Sequence, residues 1–216
     1  MKGELLQRVN TVKDLGILLD TKLHFTEHYT NILAKANRSL GMIFKFSNEF
    51  RDPYCLRSLY YSLVRSILES SAVVWAPTAA VWINRIESIQ RKFIRFALRT
   101  LPWNNPAELP PYSDRCQLIG MDSLEKRRNI MKTVFIAKLL KGEIDAPNIL
   151  SRVNFNVPAR TLRNSNLLRL DFHRTDYAQN EPIRAMCVML NENYHLFDFN
   201  LSTSTFKNRL IRDGVI

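Results

Sequence analysis

Two apolar runs open the chain, Glu4-Leu-Leu-Gln-Arg-Val9 and Val12-Lys-Asp-Leu-Gly-Ile-Leu-Leu19. Short runs of this kind, broken by turn-forming residues, predict a β-hairpin over residues 4–19 with Asn10-Thr11 as its turn. Gly16 interrupts the second run, and a glycine inside a strand marks a bulge or a close approach by another backbone. After Thr26 the period changes. Tyr29, Ile32, Leu33, Ala36, Leu40 and Ile43 recur at helical spacing, with Thr26 as the expected cap and Glu27 favoured by the helix dipole. Asp52-Pro53 is a second start signal, a cap followed by proline at the first helical position. The apolar residues beyond it, Leu56 to Val74, predict one core helix over about 53–76 that stops before Pro77.

Residues 80–100 carry the cleanest amphipathic pattern. At about 100° per residue, Trp82, Ile86, Ile89, Phe93, Phe96 and Ala97 share one side, and Arg85, Arg91, Lys92, Arg95 and Arg99 the other. Pro102, Pro106, Pro110 and Pro111 then mark a loop, with Trp103 and Tyr112 inside it. Helices are predicted near 113–119 and 123–141, followed by an extended basic connector over 143–166 and a short strand at 167–172. Pro182 opens a helix to about 195, and Ser202 or Thr203 caps a last one to about 212. The pattern is mainly α: an N-terminal β-hairpin, a helical bundle, and a helical, loop-rich C-terminal region.

Composition narrows the class. The 216 residues are 46% apolar and 24% charged, the balance of a folded domain. No apolar run approaches the length of a membrane span, which argues against a membrane partner. The first residues mix Lys2, Glu4 and Arg8 with short apolar pairs, unlike a signal peptide. Three separated cysteines, Cys55, Cys116 and Cys187, give neither a disulfide framework nor a zinc pattern, and fit a reducing intracellular compartment. The net charge of +11 is segregated: residues 85–99 hold five basic groups against one acid, 125–141 six against one, and 152–174 five against one. The rest of the chain is close to neutral. Such concentrations attract polyanions, with solvated helix faces as the plainer reading of each.

Catalytic patterns are weak. His24-Phe-Thr-Glu27-His28 has the spacing of an inverted zinc-peptidase motif, yet a cap at Thr26 leaves His24 outside the helix and breaks the shared face that such a site needs. Cys55 and Cys187 lie in apolar helical contexts and are expected in the core. Cys116 follows Arg115 without a motif around it. No two acidic residues are adjacent in the sequence, and a two-metal polymerase or nuclease site needs clustered carboxylates.

Several segments, taken in order, resemble one family. Val12 to Asp20 with Leu23-His-Phe25 and His28 is similar to the stretch just after the polymerase palm in non-LTR (LINE-type, Jockey-like) retrotransposon reverse transcriptases. Leu63-Val-Arg-Ser-Ile-Leu-Glu-Ser-Ser-Ala-Val-Val-Trp75 and Ile86-Glu-Ser-Ile-Gln-Arg-Lys-Phe93 resemble the helices that follow. Arg160-Thr-Leu-Arg-Asn-Ser-Asn-Leu167, Phe172-His-Arg-Thr-Asp-Tyr177 and Asn180-Glu-Pro-Ile183 resemble the C-terminal segment.

The resemblance implies a primer-grip-like hairpin over 1–24, a thumb-like helical bundle over 25–101 and a C-terminal basic helical region over 102–216. It implies RNA-directed DNA polymerase chemistry for the family, whose magnesium ligands lie in palm motifs upstream of the matching hairpin. This chain is accordingly expected to hold no cofactor and to be inactive by itself. The expected partners are an RNA–DNA or DNA duplex, the element RNA, and the palm and fingers of the polymerase, in the nucleus or cytoplasm. Candidate nucleic-acid-binding residues are Lys13 and Gly16 on the hairpin, Arg85, Arg91, Lys92, Arg95 and Arg99 on the ridge, Lys126, Arg127 and Arg128 on the following basic helix, and Arg160 and Arg163 in the connector. The alternative is a degenerate or domesticated structural or interaction module that binds no nucleic acid.

Overall fold

A computed structural model describes residues 9–47, 52–100, 110–157 and 166–213. The expected strand at 4–9 apart from Val9, the loop with Pro102, Trp103 and Pro106, and the connector residues Arg160 and Arg163 lie outside the described residues. The fold is mainly helical, with a two-stranded antiparallel hairpin at the N-terminal end.

The hairpin pairs Thr11–Asp14 (β1) with Ile17–Asp20 (β2), Thr11 opposite Asp20 and Asp14 opposite Ile17. Leu15 and Gly16 both take positive φ, 43° and 88°. Two left-handed residues in succession make the tight turn whose twist matches that of paired strands. The sequence 12–19, expected as one strand with a bulge, is therefore a whole hairpin, and Gly16 is its turn. Leu15 disguised this, since a leucine seldom occupies such a position.

Helix α1 (Thr26–Phe46) starts without a Thr26 cap. Phe25 sits at the cap position with φ 57° and no side-chain bond to the helix. The preceding Asp20 instead collects the amides of Lys22, His24 and Phe25 at 2.9, 3.1 and 2.8 Å. Desolvation pushes the Asp20 carboxyl up, but these amides outweigh it and hold the pKa below its ordinary value.

The expected core helix is segmented. Asp52 caps α2 (Pro53–Tyr60) through the amides of Tyr54 and Cys55, and Cys55, expected in the core, is exposed in this first turn. A π-type turn follows over Tyr61–Arg65, then α3 (Ser66–Glu69), a break at Ser70 and Ser71, and α4 (Ala72–Trp75). Ser58, Ser62 and Ser66 each bond the carbonyl four residues back, at 3.1, 3.1 and 2.6 Å. Serine hydroxyls competing in this way bend helices, and Ser71 at φ 53° ends the run.

Two compact units result. Unit one comprises Met1–Ser71 with Ala79–Ser123, and unit two Ala72–Thr78 with Leu124–Ile216. Residues 110–123, grouped on sequence with the C-terminal region, belong to unit one. Its core joins α1, α2, the π-type turn and α5 (Ala80–Ala97). Tyr60 stacks on Phe93 at 4.3 Å and Phe44 on Phe96 at 4.3 Å. Burying Phe93, which is fully enclosed, contributes about 1.5–3 kcal/mol. The unit closes with α6 (Tyr112–Leu118), so Tyr112, expected inside the proline-rich loop, opens a helix.

Unit two is built on α7 (Leu124–Leu140), against which α4, α10 (Pro182–Glu192) and α11 (Thr203–Asp213) pack. Its core includes Ile136, Leu168, Leu190, Phe206 and Leu210. Short helices α8 (Pro147–Leu150) and α9 (Asp176–Gln179) lie in the intervening loops. The strand expected at 167–172 is a single bridge between Phe155 and Leu168. Ser202 caps α11 through the Thr205 amide at 3.1 Å. No helix among the described residues is long and apolar enough to cross a membrane.

Candidate nucleic-acid interface

The orientation of α5 is fixed from its buried side. Ile86, Ile89, Phe93 and Ala97 enter the core, together with Glu87 and Gln90. Gln90 is used at both ends. Its amide nitrogen donates to the Tyr112 hydroxyl and to the Asp122 carbonyl, each at 2.9 Å, and its oxygen accepts from Tyr60 at 3.2 Å. Tyr112 in turn donates to Glu87. Burial, and next the Glu87 charge, pushes the pKa of both tyrosines well above the ordinary value. A buried polar network tolerates little rotation, because any unpaired member would be costly. Sequence reasoning placed neither Glu87 nor Gln90 in the core. The available signal was their position, three apart, within the apolar stripe.

With that face locked, the opposite face points to solvent. Arg85, Arg91, Lys92, Arg95 and Arg99 are all exposed. Three guanidiniums rest on rings: Arg85 on Trp82 at 4.9 Å, Arg91 on Tyr112 at 5.1 Å and Arg99 on Phe96 at 3.8 Å. Stacking holds the planar fork and keeps its charge, which suits Arg to oxyanions. Among the described residues, Arg85, Arg91, Lys92 and Arg95 have no carboxylate within ion-pair distance. The five cations expected on the outer face are thus all exposed there.

The hairpin places Lys13 and Gly16 in solvent. It is tied to α1 by Thr11 Oγ1, which donates to Glu27 at 3.1 Å, and by the Leu18 amide, which donates to His28 Nδ1 at 3.3 Å. His28 is buried, while His24 precedes the helix. Among the described residues no three His, Cys, Asp or Glu side chains gather in a metal-holding group.

The basic residues of α7 depart from expectation. Arg128 is 3% exposed, and Lys132 is buried too. Desolvation, with Arg128 second, lowers the Lys132 pKa. Lys126 is half-buried and donates to the Ile211 carbonyl at 3.3 Å, and Arg127 is half-buried. The helix carries charge on every side, and three other helices cover it, so part of its charge must lie inside. Arg128 is accordingly no surface cation.

The spacing 57–61–65 on the segmented core helix was missed. Arg65 lies 3.3 Å from the Tyr61 ring, and Arg57 lies 5.1 Å from Tyr54 and 5.8 Å from Tyr61. Arg57 Nη1 also donates to the Ile119 carbonyl at 2.7 Å, which fixes it within unit one. Comparison with protein-family models, with curated proteins and with solved structures gave no match.

Proposed function

We propose that the chain binds nucleic-acid duplex through its backbone, as the thumb and C-terminal part of a non-LTR retrotransposon reverse transcriptase, and is not catalytic alone. The observation that carries this reading is the α5 ridge, where Arg85, Arg91, Lys92 and Arg95 are exposed and have no carboxylate partner among the described residues. The ordered resemblance of the hairpin, helix and C-terminal segments supports the polymerase assignment. In this reading the ridge neutralises phosphates along a template–primer duplex and releases counterions. Such contacts fix position and register without reading sequence. Lys13, beside the tight turn at Gly16, is offered to the primer strand. The reaction belongs to the palm, with its magnesium, and this chain supplies grip.

The test is binding to an RNA–DNA hybrid and a DNA duplex across a salt series. Combined Arg85→Ala, Lys92→Ala and Arg99→Ala should reduce the log–log salt slope by roughly three, about one per lost phosphate contact. A folded triple variant with an unchanged slope makes the ridge a solvated face. A parent chain that fails to bind at low salt favours the second reading, an interaction module. Leu15, Met42, Phe46 and Tyr54 favour that reading, since all four are largely exposed apolar side chains of unit one.

A further inference from the structure

Unit two contains a cleft of ≈ 190 Å³ on which Arg152, Arg169 and Arg184 converge, with His173 at its wall and Ile183 and Cys187 as apolar lining. The sequence brings these together from three separate segments. Asn191 on α10 is buried and grips Leu168 twice, accepting from its amide at 2.8 Å and donating to its carbonyl at 2.9 Å. Leu168 is thereby pinned in the core, and the Arg169 amide bonds the Asn154 carbonyl at 2.8 Å. This holds the 152–154 and 168–169 segments together, and Arg152 and Arg169 both line the cleft. Arg184, in the first turn of α10, lines it too. Its Nε donates to the Asp171 carbonyl and its Nη1 to the Gln179 carbonyl, each at 3.3 Å.

Those two bonds orient the Arg184 guanidinium without neutralising it. Two carboxylates also line the cleft: Glu181 pairs with Arg152, and Asp171 with Arg169 at 3.3 Å. Three guanidiniums against two carboxylates leave positive charge in a concave site. The positive end of the α10 dipole adds to it.

We propose that this cleft binds a phosphate monoester, the phosphate held among the three guanidiniums and the attached sugar lying over Ile183 and Cys187. A planar carboxylate offers two oxygens, whereas a terminal phosphate offers three and carries more charge, which suits forked donors arriving from separate directions. The volume lies below the ordinary range for drug-sized ligands. It matches the size of an end group rather than a length of strand. The inference goes beyond backbone binding by α5, because a terminal phosphate, and not a phosphodiester, is recognised. That group can come from a free sugar phosphate or nucleotide, or from the 5′ end of a nucleic-acid strand.

The test is calorimetric titration of the full chain with ribose 5-phosphate, inorganic phosphate, ribose and citrate. Ribose 5-phosphate should bind most tightly and ribose not at all. Combined Arg152→Ala and Arg169→Ala should weaken it at least tenfold. Asp171→Asn, which removes a competing carboxylate while keeping the shape, should tighten it severalfold. If the double variant unfolds, amide NMR shifts of Arg169, Asp171 and Arg184 in the parent on adding ribose 5-phosphate give the same information. Oligonucleotides with 5′-phosphate or 5′-hydroxyl ends separate the sources. A preference for the phosphorylated end, lost in the Arg152/Arg169 variant and kept in the α5 triple variant, assigns the strand end. Binding of ribose 5-phosphate with equal oligonucleotide affinities assigns a free small molecule. The proposal is overturned if no phosphate binds at millimolar concentration, if citrate binds as well as ribose 5-phosphate, or if the folded double variant binds unchanged.

Discussion

The Leu18 amide donates to His28 Nδ1 at 3.3 Å, so a neutral imidazole ties the hairpin to α1. Burial, with Lys35 second, lowers the His28 pKa below 6.5. The unfolded chain therefore takes up the proton first as pH falls. The stability from this group is complete above 6.5 and is lost below it, until the folded imidazole is protonated too. Protonation also removes the acceptor lone pair. Melting temperature should fall between about pH 7 and pH 5, and hydrogen exchange at the Leu18 amide should accelerate in the same range. A His28→Gln variant should show a flatter profile. An unchanged profile would contradict the buried, neutral assignment.

The tyrosines behind α5 give the opposite sign. Burial, then Glu87, raises the pKa of Tyr60 and Tyr112 above 10.0 in the folded chain. Their contribution is complete below that value and declines progressively above it, toward the higher folded pKa, because the unfolded phenols ionise first. Ultraviolet titration at about pH 11 should leave both tyrosines un-ionised while the chain stays folded. Tyr112→Phe should cost about 1–3 kcal/mol in chemical denaturation, since it removes a hydroxyl that donates to Glu87 and accepts from Gln90.

The hairpin turn is strained at one residue. Leu15 has φ 43° and is 90% exposed, so its side chain gains little there to offset a left-handed backbone. Asparagine tolerates that conformation, and Asn-Gly is the favoured pair for this turn. Leu15→Asn should stabilise the chain by about 0.5–1 kcal/mol, read as a rise in melting temperature. Gly16→Ala should do the reverse, because the strain at φ 88° is in the backbone, with open space around a would-be Cβ.

Much of this fold was legible from local signals. Asp52-Pro53 starts α2, Ser202 caps α11, and the stripe of Ile86, Ile89 and Phe93 is buried. These are decided within a turn or two of chain. Other features are set by partners that the spacing of apolar and polar residues does not mark. Asp20 replaces Thr26 as the anchor of α1 because it reaches amides up to five residues ahead. Gln90 is buried because Tyr60, Tyr112 and Asp122 come from three other segments. The outward face of α5 was readable because one strong apolar stripe defines its opposite. No such stripe exists on α7, so its buried and exposed cations could not be told apart from spacing.

That difference between the two basic helices yields the sharpest mutational contrast. Arg95 and Arg128 look alike in sequence, each inside a dense basic segment. Arg95 is exposed on α5, and Arg128 is 3% exposed on α7. Arg95→Ala removes a solvated cation and should change stability by less than about 0.5 kcal/mol. If the ridge binds backbone phosphates, it should also reduce the salt slope by about one. Arg128→Ala empties a buried position, and should cost about 2 kcal/mol or more. Its effect on the salt slope, measured where the variant is folded, should be nil. Chemical denaturation and duplex titration on the two single variants read both quantities. Equal losses of affinity with equal stabilities would mean that Arg128 reaches solvent and that both helices present charge alike.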